Sequence, residues 1–267
     1  MDRQYFLCVG AQKAGTTWLH DQLGLHPGVG LPPRKELHYF DSAFPTRFDR
    51  SFGVDYVREL RRKIDQQKQL EDVPGLLDII ELAFQGPERY RAYLDSLGAD
   101  VVGEITPAYA GLTRETYEVV RKTLQPKVIF IMRDPLERYW SAVRMSHRRT
   151  PYRRRRLDIA DRFDRDIDTN KSFVRSDYAT TVQLLDETFG DDVLYLFYET
   201  LFTADNLRRV ARHIGAAEEW PWDLGHTSHV GRQLDMPDSA KVRDRLRPVY
   251  EFTRQRFGDE IPESWHY

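Results

Sequence analysis

The sequence predicts an α/β fold in which a mainly parallel central sheet is flanked by helices. Short runs of consecutive apolar residues recur along the chain, and such runs are typical of parallel strands that are buried on both faces. Segments with apolar residues at helical spacing separate these runs, which is the alternation that forms a parallel sheet. We find no internal repeat or linker, and 267 residues are enough for one such domain with a sizeable core. We therefore expect a single domain over residues 1–267.

The first predicted strand leads directly into a glycine loop and a helix. The strand covers residues 5–9, the loop covers 10–17, and the helix covers 17–25. A second short apolar run at 101–103 predicts another strand, and apolar residues at spacings of three and four predict a helix over 113–124. The order of strand, glycine loop and helix is the context in which phosphate-binding loops occur.

The strongest strand prediction is residues 128–132, which are all apolar. A helix start follows, because Asp134, Pro135 and Glu137 occupy the N-cap, first and third positions of a helix. The sequence also predicts a helix over 173–189, a strand over 193–198, helices over 203–214 and 239–257, an exposed polar helix over 58–72 and a long loop over 220–237.

The charge balance and the cysteine content exclude several classes of protein. Lys and Arg total 40 and Asp and Glu total 42, a net charge of −2, so we expect no bulk binding of nucleic acid. Cys8 is the single cysteine, which excludes a disulfide framework and a cysteine-based zinc cluster. No run approaches the ~18 apolar residues of a membrane helix, and no signal-peptide pattern opens the chain. We expect a soluble cytoplasmic protein without a membrane partner.

The glycine loop has most features of a phosphate-binding loop, but its lysine is displaced. Gly10 and Gly15 have the Walker spacing, whereas Thr16 stands where that motif has lysine and Lys13 lies three positions earlier. A glycine loop at a helix N-terminus offers backbone N–H groups and the positive end of the helix dipole to an anion. The hydroxyls of Thr16 and Thr17 add donors, so we expect residues 10–17 to hold a phosphate.

The strongest predicted strand, residues 128–132, is followed by Arg133 and not by an acidic residue that could hold Mg²⁺. A nucleoside-triphosphate enzyme normally needs such a metal ligand. The sequence therefore predicts a nucleotide held by cations and hydrogen bonds without a metal. Such a site suits a donor with one phosphate next to a transferable group of lower charge.

Three motifs together resemble the sulfotransferases that use 3′-phosphoadenosine 5′-phosphosulfate (PAPS). The loop GAQKAGTTW at 10–18 is similar to their 5′-phosphosulfate loop, and RDPLERYWS at 133–141 resembles their 3′-phosphate motif. The segment KELHYF at 35–40 is similar to the Lys-Glu-x-x-Phe-Phe segment of the heparan-sulfate and bacterial carbohydrate branches. The resemblance runs from about residue 4 to residue 258. It implies a three-layer, P-loop NTPase-like fold and transfer of a sulfuryl group to a hydroxyl or an amine of a glycan or small metabolite.

The resemblance also implies which residues hold PAPS and its product, 3′,5′-adenosine bisphosphate (PAP). The loop would bind the 5′-phosphate, and Arg133 and Ser141 would bind the 3′-phosphate. Trp18 either stacks on the adenine or is a core tryptophan. The implied nucleotide-binding residues are Gly10, Gln12, Lys13, Ala14, Gly15, Thr16, Thr17, Trp18, Arg133, Ser141, Gly231 and Arg232. No metal is expected.

Three residues are candidates for catalysis: Lys13, Glu36 and His38. In the family, Lys13 would lie near the oxygen that bridges phosphorus and sulfur, where negative charge grows as the S–O bond breaks. The attacking alcohol needs a base to take its proton. Glu36 matches the catalytic glutamate of glycan O-sulfotransferases, and His38 competes with it because its ordinary pKa lies near neutrality.

The acceptor is expected to contact Lys35, Glu36, Glu104 and Arg148. Glu104 either contacts the acceptor or forms a buried pair. It lies in GEITPAY at 103–109, where Ile105 replaces the lysine of the family's Glu-Lys-Thr-Pro-x-Tyr segment, which argues against a heparan-like acceptor. Arg148 opens a cluster of six arginines within residues 148–156, which is either a binding surface for an anionic acceptor or a solvated loop.

Two other functions compete with the sulfotransferase hypothesis. An atypical P-loop kinase for small molecules or nucleotides would bind ATP with Mg²⁺ and would be indifferent to a 3′-phosphate. A non-catalytic anion-binding module would use the arginine cluster for sulfated glycans and would not need Lys13.

Overall fold

A parallel sheet forms the centre of the computed structural model, which describes residues 3–48, 81–82, 84–149, 158–225 and 234–265. Its strand order is β2-β3-β1-β4-β5, and every neighbouring pair runs parallel. The strands are β1 (Gln4–Gly10), β2 (Val29–Gly30), β3 (Val101–Ile105), β4 (Lys127–Met132) and β5 (Val193–Phe197).

Helices connect the strands and continue beyond the last one. In chain order they are α1 (Thr16–Gly24), α2 (Tyr39–Ala43), α3 (Pro87–Asp95), α4 (Arg114–Leu124), α5 (Pro135–Arg149), α6 (Ile159–Asp166), α7 (Asn170–Ser176), α8 (Tyr178–Phe189), α9 (Tyr198–Leu201), α10 (Ala204–Ile214) and α11 (Ala240–Phe257). A 3₁₀ helix, Pro107–Gly111, follows β3.

The sheet is the middle of three layers. All five residues 128–132 of β4 are completely buried, although successive side chains of a strand point to opposite faces. Helices therefore cover both faces, as the purely apolar sequence of this strand predicts. The predicted α/β fold with a mainly parallel central sheet is confirmed.

The prediction of one helix over 173–189 is wrong, because Asp177 divides the segment into α7 and α8. The Thr180 backbone N–H donates to Asp177 Oδ1 at 3.1 Å, and Arg47 Nη1 lies 2.8 Å from Asp177 Oδ2. An aspartate that accepts from the backbone two or three residues ahead starts a new helix. The other predicted strands and helices occur within a few residues of their expected bounds wherever the chain is described.

Several elements have no counterpart in the sequence predictions: β2, α2, α3, α6, α9 and the 3₁₀ helix. The predicted polar helix at 58–72 lies outside the described residues. Of the predicted loop at 220–237, the described parts 220–225 and 234–237 contain no helix or strand.

The carboxyl ends of the strands lie at one edge of the sheet, because all the strands run in the same direction. The glycine loop follows β1, the 3₁₀ helix follows β3, and Arg133 follows β4. In open parallel sheets ligands bind outside this edge. The fold therefore brings the first and third sequence motifs to the same edge.

Candidate active site

The glycine loop, residues 10–17, runs from the end of β1 into the first turn of α1. Gly15 is the N-cap of α1, has a φ of 82°, and caps the helix without a side chain. A Cβ at Gly15 would lie 2.8 Å from Leu201 Cδ2, so both the backbone conformation and the close approach of α9 require glycine. The first N–H groups of α1 thus have no side-chain acceptor, which leaves them available to an anion.

Three predicted catalytic residues share an uncommon backbone conformation. Lys13, Glu36 and His38 have φ values of 74°, 61° and 55°. Among the described residues, Gln125 is the only other residue besides glycine with a positive φ. Residues with a Cβ rarely adopt this conformation, and strain of this kind is concentrated at functional sites.

The second motif, residues 35–38, lies against the glycine loop. Lys35 Nζ donates to Thr17 Oγ1 at 2.6 Å and lies 3.6 Å from Glu36 Oε1. The side chain of Glu36 is 40% exposed, so its carboxylate is accessible to a substrate. The structure therefore brings Lys35 and Glu36 of the second motif into contact with the glycine loop.

His38 connects Glu36 to a buried carboxylate. Its Nδ1 lies 2.7 Å from Asp41 Oδ2 and its Nε2 lies 3.4 Å from Glu36 Oε2. Asp41 is completely buried, and no motif in the sequence singles it out, although it lies three residues beyond His38. Burial alone would lower the pKa of His38, but the charges of Asp41 and Glu36 outweigh burial and raise this pKa to about 10. His38 is therefore protonated at neutral pH, and both ring nitrogens donate.

The same contacts keep Glu36 ionised. Burial acts to raise the pKa of Glu36, but the hydrogen bond from His38 and the charge of Lys35 outweigh burial and lower this pKa. At neutral pH the pair is thus a carboxylate that can take a proton and an imidazolium that cannot.

Glu104 fixes the backbone of the second motif through a hydrogen bond. Its carboxylate accepts from the Leu37 backbone N–H at 3.0 Å, from Thr106 Oγ1 at 2.6 Å, from the Tyr109 hydroxyl at 2.6 Å, and from the Tyr90 hydroxyl. Burial raises the pKa of Glu104, and these donors oppose that shift.

The four donors use the acceptor capacity of Glu104, which is 1% exposed. This arrangement favours the buried alternative for Glu104, in which it positions the second motif, over a contact with the acceptor. The Tyr109 hydroxyl extends the network, because it also accepts from the backbone N–H groups of Tyr39 at 2.9 Å and Phe40 at 3.3 Å.

Arg133 reaches the glycine loop from the end of β4. Its Nη1 donates to the Lys13 carbonyl at 3.2 Å, and its guanidinium lies 4.4 Å above the ring of Tyr198. Its Nη2 lies 3.3 Å from Glu137 Oε2. Ser141 lies about two turns into α5 and is buried. The first and third motifs are thus in direct contact, as their shared edge of the sheet requires.

Trp18 belongs to the core. It is 1% exposed, and its ring packs edge-to-face against Phe202 at 5.0 Å between centroids. This burial favours the core alternative for Trp18 over stacking on adenine.

The remaining predicted site residues are only partly described. Gln12 accepts a hydrogen bond from Arg175 Nη1, and Arg148 is exposed near the end of α5. Gly231, Arg232 and the arginines at 153–156 lie outside the described residues.

The described residues contain neither a metal-binding cluster nor a membrane-spanning helix. No group of three His, Cys, Asp or Glu side chains there is arranged to hold a metal ion. No helix in the described ranges has both the length and the apolar character needed to cross a membrane.

The glycine loop, the Lys-Glu segment and the strand-helix motif of Arg133 all lie within the part of the chain that matches a known family. A family model described as "Sulfotransferase family" matches residues 6–223. The chain belongs to the sulfotransferase family. No curated protein is similar enough in sequence to count as a relative.

Solved structures of other sulfotransferases share the fold at low sequence identity. A sulfotransferase from Alicyclobacillus acidocaldarius aligns with a TM-score of 0.66 and 19% identity over 99% of each chain. The sulfotransferase domain from the curacin biosynthetic pathway aligns with a TM-score of 0.54 and 14% identity, over 93% of this chain and 98% of that one. The sulfotransferase domain of the Synechococcus PCC 7002 olefin synthase gives 0.52 and 16% over 94% of each. These likenesses establish the three-layer, P-loop-type architecture of this sulfotransferase.

Proposed function

We propose that this sulfotransferase transfers a sulfuryl group from PAPS to a hydroxyl or an amine of a glycan or small-molecule acceptor. The observation that carries the proposal is the contact between Lys35 Nζ and Thr17 Oγ1 at 2.6 Å. This contact brings the ionised carboxylate of Glu36 next to the loop that contains Lys13. Transfer from a phosphate-linked leaving group to an alcohol needs a base and a cation side by side.

The described residues fit a donor with phosphates at two positions. The first turn of α1 has no side-chain cap, which supports binding of the 5′-phosphate to its N–H groups. Arg133 Nε is buried and has no hydrogen-bond partner among the described residues, which favours a role for Arg133, with Ser141, in holding the 3′-phosphate. When bound, PAPS supplies the sulfuryl group and departs as PAP.

Lys13 is proposed to stabilise the leaving group. Its carbonyl accepts a hydrogen bond from Arg133 Nη1 at 3.2 Å. Its φ of 74° sets the direction of the Cα–Cβ bond relative to the loop. A cation that acts on the oxygen between phosphorus and sulfur stabilises charge that develops only as the S–O bond breaks. Lys13 therefore acts on turnover more than on nucleotide affinity.

Glu36 is proposed to be the base and His38 its positioning residue. As the acceptor oxygen attacks sulfur, its proton passes to the Glu36 carboxylate, while the electrons of the broken S–O bond stay with PAP. His38 cannot take this proton at neutral pH, because its pKa of about 10 keeps it protonated. The sequence left both residues as candidates, and the contact with Asp41 favours Glu36.

The experiment that tests the proposal measures acceptor-dependent formation of PAP from PAPS. The enzyme is incubated with PAPS and a panel of hydroxyl and amine compounds, and the sulfated product is identified by mass spectrometry. Lys13→Ala should lower kcat by about 10²–10³-fold, as the loss of one preorganised donor does elsewhere, while its affinity for PAP changes little.

The matched control is Lys122→Ala, an exposed lysine on α4, which should keep wild-type turnover. Near-normal turnover of Lys13→Ala would remove Lys13 from the leaving-group role. Phosphorylated products from ATP and Mg²⁺, with none from PAPS, would replace the proposal with a kinase.

A further inference from the structure

A cavity of about 440 Å³ lies beside the glycine loop, between α5 and α7. Gln12, the residue before Lys13, forms part of its wall. The cavity therefore adjoins the loop on which the proposed chemistry takes place. Its volume is within the range of pockets that hold small organic ligands.

A buried arginine faces this cavity, and no described carboxylate forms an ion pair with it. Arg138 is 1% exposed, and its one hydrogen bond is from Nη2 to Ser176 Oγ at 2.5 Å. Its Nε and Nη1 are buried and have no hydrogen-bond partner among the described residues. Arginine stays charged in proteins, and a buried charge without a partner is strongly destabilising. A site that retains such a charge is suited to an anionic ligand.

The acidic side chains near Arg138 are occupied elsewhere. Asp166 lines the cavity, but its carboxylate accepts from Arg165 Nε at 2.7 Å and lies 3.7 Å from Arg162 Nε. Asp177 follows Ser176 and pairs with Arg47 at 2.8 Å. The cavity wall adds further positive charge, since Lys171 and Arg175 also line it.

Burial lowers the pKa of Arg138, Tyr178 and Tyr139 oppose this shift, and the nearby positive charge of Arg133 adds to it. Among the described residues no carboxylate pairs with Arg138, so an anionic ligand would balance its charge.

The remaining cavity wall is mixed: Ser146, Thr169, Asn170 and Ser172 are polar, and the other residues form an apolar surface. Phe48, Tyr139, Val143 and Met145 contribute to it. A ligand that fills the cavity therefore needs an anionic group at one end and an apolar body at the other. Binding a free inorganic anion alone would leave this apolar surface uncovered.

We infer that this cavity binds the acceptor, and that the acceptor is a small amphiphilic organic anion whose charged group is held by Arg138. Its apolar body packs against Phe48 and Tyr139, and its hydroxyl or amine points to the glycine loop at Gln12. This inference rests on the proposed function, because it places the ligand next to Lys13. It narrows the acceptor class from glycans and metabolites in general to small molecules that carry a carboxylate, sulfate or phosphate.

The test uses pairs of probes that differ only in charge. A series of hydroxyaryl and hydroxyalkyl carboxylic acids, such as 4-hydroxyphenylacetate, is compared with the corresponding neutral amides. Isothermal titration calorimetry measures their binding to the whole enzyme saturated with PAP. The acids should bind at least about 10-fold more tightly than their amides, because hydrogen bonds to charged groups are the stronger ones. If no acid in the series binds better than its amide, the inference is overturned.

Arg138→Met, which keeps the side-chain volume, should abolish the preference for acids and leave the affinity for PAP unchanged. It should also melt no lower than the wild type, because replacing an unpaired buried charge with an apolar residue tends to stabilise. Lys171→Ala changes an exposed residue of α7, so it should fold like the wild type. It should reduce the preference for acids over amides several-fold.

Two results would contradict the inference. An unchanged preference in both variants would mean that the acid is not held here. A loss of PAP affinity in Arg138→Met, with the preference retained, would place Arg138 in the nucleotide site. Failure of PAP to bind the wild type would defeat the proposed function instead, and the comparison of acids with amides without PAP would still decide the charge selectivity of the cavity.

Discussion

At the scale of single residues, the division of roles between Glu36 and His38 depends on one buried carboxylate. Asp41 is completely buried and 2.7 Å from His38 Nδ1, so it keeps the imidazole protonated. The protonated His38 and Lys35 in turn keep Glu36 ionised. The proposed base is thus tuned by its neighbours and not by its own burial, which acts in the opposite direction.

This arrangement predicts a shift in the pH dependence of the variant His38→Gln. Activity requires ionised Glu36, so kcat/KM falls as the pH drops through the pKa of Glu36. Loss of the charge and hydrogen bond of His38 raises that pKa, so the acid limb of the profile should move to higher pH. The variant should keep activity within about 10-fold of the wild type at pH 8, whereas Glu36→Gln should lose about 10²–10⁴-fold at every pH.

The pH profile of kcat/KM with a fixed acceptor measures this difference. The control is His213→Gln, because His213 Nε2 contacts the Val128 carbonyl on β4 and takes no part in the site. An acid limb that stays in place in His38→Gln would show that His38 does not tune Glu36. A His38→Gln enzyme as inactive as Glu36→Gln would make His38 the base.

At the scale of elements, the segment 35–38 keeps its strained conformation because the core holds it. Glu104 on β3 accepts the Leu37 backbone N–H at 3.0 Å, and Tyr109 accepts two further N–H groups at the start of α2. A buried network in which every member is bonded fixes one conformation. The position of Glu36 is therefore set by β3, which is remote from it in sequence.

Glu104→Gln should disturb this element without touching the substrate. The amide has one acceptor oxygen for four donors, so the free energy of unfolding should fall by about 1–3 kcal/mol. Turnover should fall as well, because Glu36 loses its support, while PAP affinity stays near that of the wild type. Thermal unfolding, calorimetry and kinetics measure the three quantities. Glu118→Gln, an exposed site on α4, is the control, and a Glu104→Gln enzyme with wild-type stability would refute the positioning role.

The elements that the sequence predicts well are those with local signals. The apolar run 128–132 and the cap formed by Asp134 are contiguous in the chain, and Glu137 N–H does donate to Asp134 Oδ1 at 2.9 Å. The break at Asp177 was missed because helical periodicity continues through it. A cap of this kind becomes decisive only when Arg47, remote in sequence, fixes the same carboxylate.

The site was predictable only in part for a similar reason. Its motifs name Lys13, Glu36 and Arg133, but the positive φ of Lys13 and Glu36 cannot be read from residue types that rarely adopt it. The role of Glu104 depends on donors 14 and 67 residues away. The position of Trp18 on its helix is the same whether the ring packs in the core or binds a ligand. Such outcomes are decided by long-range packing.

At the scale of the whole molecule, the proposed functional groups lie at one edge of the sheet. The glycine loop after β1, Arg133 after β4 and the support from β3 meet there, although they are spread over more than one hundred residues of the chain. The solved sulfotransferases align over nearly their whole length at 14–19% identity. The topology thus persists while most side chains differ, which leaves the acceptor pocket free to vary.

The most direct test of the central claim is a thermal-shift titration that compares PAP with adenosine 5′-monophosphate and with ADP plus Mg²⁺. A ligand at about 100 times its dissociation constant stabilises the folded state by ~2.7 kcal/mol, or about 5 °C or more for a domain of this size. We expect this shift with PAP in the absence of metal, a smaller shift with the monophosphate, and loss of the difference in Arg133→Ala. A shift that needs ADP and Mg²⁺ and ignores the 3′-phosphate would contradict the central claim.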